Sequence, residues 1–150
     1  MAPIKCFFVD RFPLDPDNGD SSISQVCRRL DTGEECMWTE INKVPGAMWY
    51  ADHYLRDWYA EIDPKQYMTG PDGHVLVVCC PDGWHWIVDS RANNCTLPND
   101  NEHRCWVRHG DPRSGLVHVD KNGKTCAAGA GSIVTPSWHG FLHNGYLTGC

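Results

Sequence analysis

Cys95, His103, Cys105, His109, Cys126 and His139, side chains that can hold a transition metal, fall within 45 positions. Thiolates and imidazoles are the donors zinc prefers, and a structural zinc site takes four of them in a tetrahedron. Cys95, His103 and Cys105 are close in sequence. The alternation His103-x-Cys105 sets two donors on one side of a strand, and Cys126 arrives from a following hairpin. These four residues are the expected zinc ligands, with His109 and His139 in reserve. Cys79-Cys80 can lend a further donor, because adjacent strand residues point to opposite faces. The sequence has no Cys-x-x-Cys knuckle, so the spacing departs from compact zinc fingers. The competing reading is of reduced, buried thiols that behave as small hydrophobes, with histidines hydrogen-bonded at the surface.

Other chemistries are less well supplied. Cys95 or Cys105 with a histidine and Asp89 or Asp100 would make a nucleophile, a base and an orienting group. No nucleophile elbow or protease-type signature surrounds them. A catalytic zinc would need three ligands, an open position and a carboxylate such as Glu102 or Asp100, and there is no His-Glu-x-x-His. Gly129-Ala130-Gly131-Ser132 lacks the lysine and the following helix of a phosphate loop. The reading therefore leans away from an enzyme. The seven tryptophans belong mainly to a core, and an exposed one would mark a binding surface.

Residues 67–150 must position the donors, and they read as β-rich. Pro71-Asp72-Gly73 precedes a strand at 74–80, and Pro81-Asp82-Gly83 joins it to a second at 84–89 as a hairpin. Residues 104–109 alternate, with His103, Cys105, Val107 and His109 on one face. Residues 116–120 and Thr125-Cys126 flank Asn122-Gly123, a tight-turn pair. A last hairpin spans 138–148 around His143-Asn144-Gly145. Upstream, the spacing of Trp49, Leu55, Trp58, Tyr59 and Ile62 predicts the one main helix over 47–62. Residues 1–46 read as an irregular segment with a short strand at 5–9. The expectation is a single α+β, β-rich domain over 1–150, built of antiparallel hairpins, loop-rich and metal-stabilised.

A formal charge of −6 weighs against a protein that grips nucleic acid through a broad basic face. The arginines at 28–29 and around Arg104, Arg108 and Arg113 read as solvated. No stretch approaches 18 apolar residues, which excludes a transmembrane helix. The opening MAPIKCFFVDRFPLD reaches Asp10 and Arg11 too soon for a secretory signal. A cytosolic setting follows as the expectation, with the nine cysteines as ligands or free thiols.

The runs WIVDSRANNCTLPNDNEHRCWVRHG (86–110), VDKNGKTCAAGAGSI (119–133) and WHGFLHNG (138–145) resemble a family of small uncharacterised proteins of tailed bacteriophages and prophages. The resemblance covers about the last 80 residues. It implies a phage-encoded protein made in a bacterial host cytoplasm, there or as a minor virion component. The function expected is a zinc-stabilised binding or assembly module with a host or phage protein partner or copies of itself. The alternatives are a homo-oligomeric virion subunit and a cysteine- or zinc-dependent hydrolase.

Overall fold

The computed structural model describes residues 1–13, 23–52, 69–91, 105–121 and 131–150. In chain order the elements are β1 (Ile4–Lys5), β2 (Phe7–Pro13), β3 (Ile23–Arg29), β4 (Glu35–Met37), α1 (Trp38–Ile41), β5 (Ala47–Tyr50), β6 (Leu76–Cys79) and β7 (His85–Ile87). They continue with β8 (Trp106–His109), β9 (His118–Lys121), β10 (Ile133–Thr135), β11 (Trp138–His143) and β12 (Tyr146–Gly149). A central sheet runs β4-β3-β2-β5-β6-β7, a second runs β1-β12-β11-β10, and β8-β9 form a two-stranded ribbon. The fold is β-rich and antiparallel, except that β2 and β5 pair in parallel. None of the described helices is long and apolar enough to cross a membrane.

The apolar run Val75–Cys80 does not alternate with polar residues because the central sheet is buried on both faces. Phe8, Met48, Leu76, Val78, Cys80 and Trp86 point to one side. There they meet Cys105, Trp106, Val117, Val119, Ile133, Leu142 and Leu147 from the C-terminal strands. Phe7, Val9, Ala47, Trp49, Val75, Val77 and Cys79 point to the other, against Cys27, Ile41 and Trp38. Period-two geometry thus sends neighbours in sequence into separate cores. Cys79 and Cys80 illustrate this, since both are fully buried on opposite faces.

Three expectations change. The described residues of 1–46 are not irregular: they supply β1 to β4 and α1, and the chain crosses between the two sheets at Cys6, whose N–H donates to the Gly145 carbonyl at 2.8 Å. The helix expected over 47–62 is a strand at Ala47–Tyr50. A helix there would need a polar face, but Ala47, Met48 and Trp49 are all buried between the two cores; residues 53–62 lie outside the described residues. Arg108 is not solvated but 4% exposed.

Arg108 sits in a closed polar network. Its guanidinium pairs with both oxygens of Asp72, and its Nε donates to Asp89 at 3.0 and 3.1 Å. Nη2 also donates to the His74 carbonyl. Asp72 accepts from the Tyr50 hydroxyl at 3.0 Å. Burial works against the Asp72 charge, but the Arg108 hydrogen bonds prevail and hold its carboxyl at about 2. Burial, then the bond to Asp72, pushes the Tyr50 hydroxyl up to about 12. Gly70 is required at this point, because a Cβ there would lie 2.2 Å from the Arg108 guanidinium.

Hairpins read from turn chemistry are in place. Pro81-Asp82-Gly83 joins β6 to β7. Asn144 and Gly145 take positive φ angles of 50° and 83° between β11 and β12, as a tight Asn-Gly turn requires. The third hairpin is described only in its first limb: β9 pairs with β8, and Asn122-Gly123 and Cys126 lie outside the described residues.

Candidate metal centre

Of the four expected ligands, Cys95, His103 and Cys126 lie outside the described residues. Cys105 lies within the main core with no exposed surface. Its side chain was expected to share a face with His109. The strand begins only at Trp106, so alternation does not extend back to Cys105. Elsewhere in the interior, burial raises the Cys79 thiol to about 11 and the Cys6 thiol to about 12. Raised thiols of this kind suit Cys6 and Cys79 as small hydrophobes rather than as nucleophiles.

A different donor set is assembled at the surface. His118 and Asp120 are two apart on β9 and therefore share a face. His143 ends β11, immediately before the Asn144-Gly145 turn. Donor atoms of these three residues all lie within 4.8 Å of one another. His109, opposite His118 across the β8–β9 ribbon, brings its Nε2 to 3.9 Å from Asp120. His139 stands four residues from His143 on the same strand, about 13 Å away along it, and does not join.

Backbone contacts fix the turn that carries His143. The Gly145 N–H donates to the Val117 carbonyl at 2.8 Å, and its own carbonyl accepts from Cys6. A Cβ at position 145 would lie 2.6 Å from the Gly115 carbonyl oxygen. The last hairpin is thereby pressed onto the segment leading into β9. The His118 and His143 rings stack at 4.6 Å with 21° between planes.

The Asn144 N–H donates to His118 Nδ1 at 3.3 Å, so the His118 proton resides on Nε2 and points at Asp120 Oδ1, 3.0 Å away. An ion would replace that proton and draw on His118 Nε2 and Asp120 together. Donors around a tetrahedral zinc are separated by about 3.4 Å, as bond lengths near 2.1 Å dictate. The stacked rings must therefore tilt so that their in-plane lone pairs converge. Two imidazoles and a carboxylate, with a further imidazole nearby and solvent on the open side, suit zinc and other borderline divalent ions.

The sequence reading passed over His118 and His143. The signals were available: the His-x-Asp alternation at 118–120, and a histidine adjoining an Asn-Gly turn. What sequence could not supply was the packing of the sheet holding β11 against the β8–β9 ribbon. No protein-family model, no curated protein and no solved structure matches the chain.

Proposed function

We propose that the chain is a non-enzymatic β module whose last hairpin is clasped to the β8–β9 ribbon by a divalent metal, zinc first among them, and which docks on a protein partner. The convergence of His118, Asp120 and His143 within 4.8 Å carries this reading. Such an ion would bridge two separate sheets, and ligand binding to the native state alone stabilises it. The resemblance of residues 67–150 to small tailed-phage proteins fits a module of this size acting in a bacterial host or in the virion. A zinc site of Cys95, His103, Cys105 and Cys126 remains a separate proposal, resting on ligand chemistry and spacing.

The test is thermal unfolding of chelator-treated protein with and without added zinc, alongside metal analysis. Zinc at about 100 times its dissociation constant should raise stability by about 2.7 kcal/mol, and His143→Ala should abolish the gain. An unchanged melting temperature on complete removal and readdition of metal would sink the idea. A gain that survives His143→Ala but disappears in Cys105→Ser would move the ion to the cysteine set.

Self-assembly is a second reading, favoured by a specific observation. Trp84 is 52% exposed and Val134 70% exposed. Both flank the point where Asp82 accepts hydrogen bonds from Thr135 Oγ1 and the Ser137 N–H. Light scattering separates the two: a concentration-dependent oligomer broken by Trp84→Ser supports a self-assembling subunit, and a monomer supports a foreign partner.

A further inference from the structure

The second face of the central sheet carries a pocket unrelated to the histidine cluster. Trp38 and Trp49 meet edge to face at 4.8 Å, and Trp49 meets His85 in the same manner. Beside them is a cavity of about 310 Å³ with Val77 and Ile87 in its lining, near the lower end of the range for small-molecule sites. Its walls are braced. Asn42 Nδ2 donates to the Trp38 carbonyl at 2.7 Å, and His85 Nε2 donates to the Asn42 carbonyl at 2.6 Å. A pocket held in shape before binding loses less freedom when it is filled.

Arg11 gives this cavity its character. The guanidinium carbon lies 3.7 Å from the Trp38 ring centroid. Its Nε is buried without a hydrogen-bond partner. Arg28, Arg29, Arg108 and Arg113 each meet a carboxylate, whereas no Asp or Glu is among the described residues lining the Arg11 cavity. Burial lowers the Arg11 pKa, the direction expected of a cation short of counter-charge. A buried donor without an acceptor is costly to keep, and a bound group that supplies the acceptor accounts for it.

We propose that the cavity binds a small aromatic carboxylate, its ring against Trp38 and Trp49 and its carboxylate on Arg11. One guanidinium matches one carboxylate in a paired, charge-assisted bond. The indole walls and aliphatic lining suit a flat apolar body, and a bare phosphate would leave them unused.

The probe is benzoate, titrated into the full chain and followed through the indole N–H resonances, with benzyl alcohol as the neutral counterpart and inorganic phosphate as the bare anion. Benzoate should saturate and shift the Trp38 and Trp49 signals while leaving Trp84 unmoved. Benzyl alcohol should bind about tenfold more weakly, and Arg11→Gln should bring benzoate down to the same level. Absence of saturation, equal binding of the acid and the alcohol, or phosphate binding as tightly as benzoate would each overturn the proposal. Should Arg11→Gln fail to fold, the comparison of probes on the unmodified protein decides alone.

Discussion

Arg108 and His109 are neighbours on β8, yet they belong to opposite kinds of polar site. Arg108 turns inward, and its donors reach Asp72, Asp89 and a backbone carbonyl. His109 turns outward beside His118, Asp120 and His143, whose donor atoms gather at the surface within 4.8 Å of one another. Inside, every added partner offsets the cost of removing charge from water, and losing one partner exposes that cost in full. Outside, the same residue types are individually worth little, and what matters is the space they leave for an ion. A closed network holds the fold; an open one is available for binding.

Substitutions can break this contrast, and the largest effect falls on the closed side. Asp89→Ala leaves Arg108 buried with one carboxylate fewer and should cost about 3–5 kcal/mol in denaturant unfolding. A loss below about 1 kcal/mol would show that the network does not govern stability. Next comes pH. The Asp72 carboxyl is lowered from 3.8 to about 2, so the native state binds fewer protons than the unfolded chain in that interval. Its stabilisation is complete above the ordinary value and is lost as pH falls through about 2. Asp72→Asn should flatten that limb of the stability–pH curve.

The link between the two sites is probed by Gly145→Ala. A side chain at φ 83° and 2.6 Å from the Gly115 oxygen should cost about 1–3 kcal/mol and displace His143, so calorimetry should also show weaker zinc binding. Retained affinity would mean that the turn does not set the site. His118→Ala should be smallest in the metal-free protein, within about 1 kcal/mol, yet it should remove the stabilisation by zinc. If metal-free His118→Ala unfolds as readily as Asp89→Ala, the contrast between the sites fails.

Local signals in the sequence carried well. The Asn144-Gly145 turn, the Pro-Asp-Gly hairpin and the β-rich character of 67–150 all follow from residues adjacent in the chain. Signals that depend on distant partners did not. Ala47–Tyr50 resembles a helix until β2 and β6 are placed on either side of it. Arg108 reads as a surface residue until Asp72 and Asp89, 36 and 19 residues away, converge on it. The histidine cluster combines β8, β9 and β11, whose association no spacing rule encodes. Cys105 was placed on one face with Val107 and His109 by extending alternation one residue beyond where the strand begins.

The pairing of β1 with β12 bears on how the chain acquires its structure. Ile4 faces Leu147 in the ladder, so β1 must wait during synthesis for a strand more than 140 residues later. Until then Cys6 lacks its Gly145 acceptor and the upper core lacks Leu142 and Leu147. Closure over so long an interval is slow, because the entropy of the loop is spent before its contacts form. During synthesis the exposed edge of β1 and the uncovered face of the central sheet are open to chaperones or to a neighbouring nascent chain.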